Sequence, residues 1–254
     1  MKKMTMKEKK LILGTAVAAL FLGIAPSASA MHIMEGYLPP TFCIVWGVIC
    51  LPFLVAGFLS IKRTLADNRR NITMIAMAAA FVFVLSSLKI PSVTGSCSHM
   101  TGTGLGAILL GPSAVSILGI IVLIFQAILL AHGGLTTLGA NTFSMAIAGP
   151  FVSFGIYALC KKLKVNKSVG IFLAASIGDL FTYCVTSFQL TMAYPSPTGG
   201  YMASLLKFLA VFAPTQVPLA IIEGILTVVI VMGLETYAKP ELNALKFAVG
   251  GDTK

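Results

Sequence analysis

Charge is what this sequence lacks. Only 10% of its 254 residues are Asp, Glu, Lys or Arg, whereas 57% are hydrophobic, and a mean hydropathy of +0.95 exceeds what a soluble domain of this size tolerates. Soluble folds are thereby excluded, and a polytopic membrane protein is left. Acids are the rarer sign, eight against 18 basic residues. A net charge of +10 invites an anionic partner such as nucleic acid, but five of the lysines crowd the first ten residues, and most of the other basic residues flank apolar segments. That distribution is the positive-inside bias of membrane loops, and no nucleic-acid partner is expected. Five cysteines, an odd number lying mostly in apolar segments, exclude a disulfide framework; only Cys97 sits in a polar loop. No G-x-x-x-x-G-K-[ST] phosphate loop is present, so any ATP hydrolysis would have to be supplied by another chain. No H-E-x-x-H, H-x-x-H or C-x-x-C spacing occurs, no repeat of 20 to 50 residues appears, and no Gly/Ser linker separates a soluble domain.

What is present begins with a secretory pattern. A basic head (Lys2, Lys3, Lys7, Lys9, Lys10) precedes the apolar run LILGTAVAALFLGIA and then Ala28-Ser29-Ala30, an A-x-A cleavage site. Residues 1–30 are expected to be a signal peptide, the alternative being an uncleaved anchor helix. Residues 31–254 are then expected to form one membrane-embedded domain.

Segments long enough to cross a bilayer, about 20 residues each, are 41–61, 71–90, 113–131, 139–160, 168–190 and 216–236. Lys62, Arg63, Arg69 and Arg70 follow the first, and Lys161, Lys162, Lys164 and Lys167 follow the fourth, so both loops are expected in the cytoplasm. The chain between them must enter and return, yet 104–131 is too short for two comfortable crossings at about 1.5 Å per residue. Its first piece is therefore expected to be a short, tilted or re-entrant helix, the third of about seven in an all-α membrane protein. Parity places Met31 outside and the tail, with Lys239, Lys246 and Lys254, inside. The apolar stretch 201–214, too short to span, is expected as a separate outer interfacial helix.

His32, His99 and His132 are the only histidines, and this topology puts all three at the outer face. Cleavage after Ala30 would free the Met31 amine beside the His32 amide and ring, three nitrogens able to chelate one metal in fused five- and six-membered rings. Free amines titrate near 7.7 to 8.0, so a Lewis-acidic ion displaces the proton at neutral pH. His99, in a Gly- and Ser-rich loop, supplies a fourth nitrogen. All-nitrogen donors suit Ni(II), Cu(II) and Co(II) and serve Mg(II) or Ca(II) poorly. The alternative, ordinary interfacial histidines, stays open at this level.

The blocks MHIMEGYLPP, KIPSVTGSCSHMTGTGLGAILLGP and FQAILLAHGGLTTLGANTFSMAIAGP resemble the signatures of the CbiM family, the substrate-capture components of cobalt energy-coupling-factor (ECF) transporters; DLFTYCVTSFQL and TQVPLAIIEGILTV extend the likeness over most of the chain. The resemblance implies a seven-helix cell-membrane protein with Met31, His32 and His99 as ligands. It implies Co(II), or Ni(II) as in the nickel relatives, as transported substrate, with no cofactor and no enzymatic activity. The implied partners are a small membrane accessory subunit, a transmembrane coupling protein and ATPase subunits, and the implied destination of the cobalt is corrinoid synthesis. His132 and Asn141 are expected around the ligands, although Asn141 equally reads as a helix cap. Ser96, Ser98 and Thr101 are expected to hold the His99 loop, and Glu35 to orient the N-terminal segment. Asp179 and Glu223, acids within spans, are expected to make polar contacts between helices. The small residues Ala76 and Ala80 fit a close helix approach. An intramembrane metalloenzyme is the competing class, but it needs a general base, and no acid neighbours His99 or His132 in sequence. Intact mass spectrometry of the protein purified from membranes is expected to give a chain that begins at Met31; a transport-competent chain retaining residues 1–30 removes the amine from the ligand set.

Overall fold

A computed structural model describes residues 32–88, 90–91 and 97–245. The expected signal peptide, Met31 and Ser96 lie outside the described residues, as do Lys246 and Lys254 and the side chain of Cys97. Seven helices make up most of the described chain: α1 (Pro40–Asp67), α2 (Asn71–Ser87), α3 (Thr103–Leu110), α4 (Pro112–Leu130), α5 (Leu138–Lys162), α6 (Lys167–Ala193) and α7 (Gly200–Tyr237). A short α8 (Lys239–Ala244) follows. Two-residue strands, β1 (Ile90–Pro91) and β2 (Cys97–Ser98), pair antiparallel at the entrance to the His99 loop. Five of the helices are long and apolar enough to cross a membrane.

The helices are apolar on nearly all sides because one side faces lipid. On α1, Ile44, Val48, Leu51, Val55 and Phe58 point outward, and only Trp46, Cys50 and Gly57 are buried. Apolar surface gains little from leaving lipid, so close contact and polar pairing have to hold the bundle together. At the α5–α6 crossing, a Cβ on Gly178 would lie 3.0 Å from that of Ser153, and one on Gly149 would lie 3.2 Å from the Gly178 carbonyl. Gln126 of α4 donates to the Ser86 hydroxyl of α2 at 2.6 Å, an interhelical bond with no water to compete. Ala76 and Ala80 face outward from α2, whereas Ala78 between them is buried. Of the cysteines in apolar segments, Cys50 and Cys160 are buried, Cys43 is half-buried, and Cys184 faces outward.

The short third helix has a definite form. Eight residues rise about 12 Å, less than half of a hydrocarbon core of about 30 Å, and Thr103 through Leu109 are all buried. The helix continues from the irregular segment 98–102, also buried. Non-helical backbone at such depth persists only when packed within protein. The separate interfacial helix expected at 201–214 is not what forms: residues 200–237 are one 38-residue helix that runs through Pro214 and Pro218. Proline's fixed φ suits a helix, so each ring costs a backbone hydrogen bond without ending the helix. At about 57 Å, α7 is longer than the apolar core, and one end must project beyond it.

Candidate metal centre

Three separate segments bring the histidines together. The strap 32–38 precedes α1, the loop 98–102 precedes α3, and the loop 131–137 joins α4 to α5. His32, His99 and His132 are all buried, each at most 3% exposed, and one ligand nitrogen from each lies within 4.8 Å of the other two. His32 Nδ1 and His99 Nε2 converge to 2.5 Å. Their ring centroids are 4.5 Å apart at an interplanar angle of 37°, and His132 stands edge-on to both at 4.6 and 4.8 Å. On the far side of the His99 ring, Nδ1 lies 2.8 Å from the Met100 carbonyl. A carbonyl only accepts, so Nδ1 carries the proton and the Nε2 lone pair faces His32. Among the described residues this is the group of three or more His, Cys, Asp or Glu side chains that can hold one metal ion.

The strap is held by its backbone. Ile33 donates its N–H to Asn141 Oδ1 at 2.8 Å, and its carbonyl accepts from Asn141 Nδ2 at 3.0 Å and from the Thr137 hydroxyl at 2.6 Å. Asn141 therefore clamps the residue after His32 instead of capping a helix. Ile33 and Leu38 pack with Trp46, Ala140, Tyr183, Leu190 and Phe212, an apolar floor beneath the strap. At its other end the Tyr194 hydroxyl donates to the Tyr37 carbonyl.

His132 follows Ala131, whose φ of 46° closes α4 in a left-handed cap, and the His132 N–H donates to the Gln126 carbonyl at 3.1 Å. The two glycines after it are required by space. A Cβ on Gly133, at φ 76°, would lie 3.1 Å from Asn141 Nδ2 and 3.5 Å from the His32 ring; one on Gly134 would lie 2.5 Å from Glu35 Cα. The strap lies directly on this pair. Next to it, the Thr136 N–H donates to the Glu35 carboxylate at 3.2 and 3.3 Å, and the Gly36 N–H donates to the Thr136 hydroxyl at 3.2 Å. Hydrogen bonding from Thr136 holds the Glu35 carboxyl below its usual range, against a smaller opposing effect of burial.

The His99 loop is anchored from α7. The Ser98 hydroxyl meets that of Thr215 at 2.7 Å, and the Gln216 amide donates to the His99 carbonyl at 3.3 Å and to Asp179 Oδ2 at 2.6 Å. Thr101 donates its N–H to Glu223 Oε2 at 2.6 Å and its hydroxyl to Oε1 at 3.0 Å. Asp179 and Glu223 thus do make polar contacts between helices, as their position within spans leads one to expect. Sequence reasoning missed Thr137, Thr215 and Gln216, although Gln216 carried a signal as a polar side chain between two prolines of an apolar helix.

These features define a class: a multi-pass α-helical membrane protein with a buried imidazole cluster suited to a late first-row divalent ion. The particular family follows from comparison. Residues 32–242 match the family model CbiM, "Cobalt uptake substrate-specific transmembrane region", and the chain belongs to that family. It is similar to the cobalt transport protein CbiM of Lachnoclostridium phytofermentans, 77% identical over 248 residues that cover 98% of this chain and 99% of that one. It is also similar to the protein of the same name from Ruminiclostridium cellulolyticum, 58% identical over 245 residues, 96% and 98% of the two chains. Its fold is similar to a solved transition metal transporter at 29% identity and TM-score 0.71, covering 86% of this chain and 98% of the other. A truncated transition metal transporter matches at 28% and 0.72, covering 81% and 99%.

Two outcomes test the strap. Asn141→Leu leaves both Ile33 backbone groups short of partners and is expected to cost about 2 kcal/mol, read as a lowered Tm and faster amide exchange over residues 33–38. A carboxyl held below its usual range keeps its hold above that range and loses it as pH falls through the lowered value. Protection of the Gly36 and Thr136 amides, taken relative to the intrinsic exchange rate at each pH, is therefore expected to fall at acid pH, and to be already lowered at neutral pH in Glu35→Gln.

Proposed function

We propose that this chain is the substrate-specific component of an ATP-driven ECF cobalt importer, binding Co(II) at its outer face. The carrying observation is the convergence of His32 Nδ1 and His99 Nε2, with Met31 one residue before His32. Two nitrogens at about 2.0 Å from one ion, at a right angle, lie about 2.8 Å apart, close to the separation these rings already have. The proposed ligands are the amine of Met31, freed by removal of residues 1–30, the amide and Nδ1 of His32, and Nε2 of His99. His132, edge-on to both rings, supports them, and Asn141 fixes the strap that carries the chelate. Ser98 and Thr101 hold the His99 loop, as Ser96 is expected to do. The orientation follows from the basic loops. Lys62, Arg63, Arg69 and Arg70 lie at the far end of α1 from the strap, and Lys161, Lys162 and Lys164 at the far end of α5 from Asn141. With those loops in the cytoplasm of the cell membrane, the histidines face outside and the C-terminal tail lies inside.

The printed name of the matching family, with the relatives named cobalt transport proteins, supports cobalt as cargo. ATP hydrolysis is assigned to partner ATPase subunits, which act through a transmembrane coupling protein and a small accessory subunit. Corrinoid synthesis is the proposed use of the metal. Nickel is the second reading, favoured by an all-nitrogen donor set, which also suits square-planar Ni(II); competitive uptake of labelled Co(II) and Ni(II) decides between them.

His32→Ala and His99→Ala are each expected to abolish uptake and to weaken Co(II) binding at least about a hundredfold; undiminished uptake in either variant overturns the assignment. Amine and imidazole must shed protons to bind the ion, so affinity is expected to fall steadily as pH goes from 8 to 5.5. A flat titration over that range contradicts these ligands.

A further inference from the structure

The His99 loop and one face of α7 are matched residue by residue. Ser98 meets Thr215, the His99 carbonyl meets Gln216, Met100 packs with Leu219, and Thr101 meets Glu223. Three residues of extended chain cover about 10 Å, and eight residues of helix rise about 12 Å, so the two run alongside each other in the same direction. All four loop residues and Gln216, Leu219 and Glu223 are buried. Behind this face, Asp179 of α6 accepts from Gln216, and its side chain reaches Glu223 as well. The Thr101 hydroxyl also accepts from Thr103 at 3.2 Å, which continues the chain of bonds into α3.

We propose that Glu223 is a positioning residue for the metal site: acting through Thr101, and together with Gln216 backed by Asp179, it sets where His99 Nε2 points. The inference rests on the capture reading and adds to it a set of residues that do not touch the ion. A ligand nitrogen on an irregular loop is only as well placed as the backbone beneath it. Here that backbone takes its register from α7 beyond Ser98, the last residue that pairs with a neighbouring strand. Pro214 and Pro218 flank Gln216 and remove two backbone donors from α7 at that point. Any bending of α7 there, or shift of α6 against it, is transmitted to the His99 ring, which gives the bundle a direct mechanical hold on ligand geometry.

The test uses full-length protein purified in detergent, comparing wild type with Glu223→Gln, Thr101→Val, Thr101→Ser and His99→Ala. Co(II) is titrated while its visible d–d spectrum is recorded, and the Tm of each metal-free protein is measured. Glu223→Gln sets an amide N–H₂ against one of the two Thr101 donors, and Thr101→Val removes the hydroxyl. Both are expected to weaken Co(II) binding about tenfold and to shift the bands of the bound ion, whereas Thr101→Ser, which keeps the hydroxyl, restores affinity and spectrum. A merely structural role would lower Tm and leave the spectrum of the bound ion unchanged. Wild-type affinity and spectrum in both Glu223→Gln and Thr101→Val, with binding lost in His99→Ala, overturn the positioning role and leave capture standing. A wild-type protein that binds no Co(II) or Ni(II) overturns both. If Glu223→Gln fails to fold, the Thr101→Val and Thr101→Ser pair decides alone.

Discussion

Irregular backbone inside an apolar solvent must find every hydrogen-bond partner within the protein, and this constraint organises the molecule. A buried N–H or C=O left unpaired in a bilayer costs several kcal/mol, which is why helices dominate such proteins. The histidines here sit on non-helical segments, since a helix would hold them along its own axis and not pointed at one another. The chain therefore supplies partners individually: Asn141 and Thr137 for Ile33, Thr136 for Gly36, Gln216 for His99, Glu223 for Thr101. Each partner comes from a helix, or from the turn leading into one. The regular part of the fold thus lends its rigidity to the irregular part.

The same economy of polar groups explains the composition. Charged residues are few because the spans exclude them, and the two buried acids among the described residues, Asp179 and Glu223, are engaged. Glu223 takes donors from the His99 loop, and Asp179 takes one from Gln216. Small residues do what apolar burial cannot do in lipid. Glycines at the α5–α6 crossing let the helices touch, and Gly133 and Gly134 let the strap lie against the His132 loop. A side chain at Gly134 would lift Glu35 and, with it, His32 away from the cluster.

Much of this was legible in the chain. Five of the six expected spans could be bounded to within about six residues from apolar runs and basic flanks. The cramped third helix followed from counting residues between two loops assigned to the same side. The continuity of α7 was hidden because proline reads as a stop in sequence, whereas in a long packed helix a proline's lost bond is a local cost. His32 and His99 were legible because their sequence context was distinctive: a histidine directly behind an expected cleavage site, and another in a Gly- and Ser-rich loop. His132 could be placed on the same face but not within reach of the others, because that depends on the left-handed cap at Ala131. Asn141 was ambiguous for a physical reason. Its amide can cap a helix or clamp a strand-like segment, and only the arrival of Ile33, 108 positions away, chooses between them.

A site assembled from three segments distant in sequence holds its geometry only while all three are docked. His32 depends on the strap, His99 on α7, and His132 on the α4 cap, while Asn141 joins the strap to α5. The support of His99 runs into α7 and, through the Gln216–Asp179 bond, into α6, and the other ends of these two helices meet through the Lys167–Glu235 ion pair beside the basic loops. A change in packing at that end has a rigid route to the imidazoles, because α7 carries both Glu235 and the residues that register the His99 loop. On the proposed capture reading, the site needs two opposed properties, tight grip when loaded and release on demand. Ligands borrowed from segments that each answer to a different helix provide both, since the grip is the sum of all contacts and the loss of one is enough to open it.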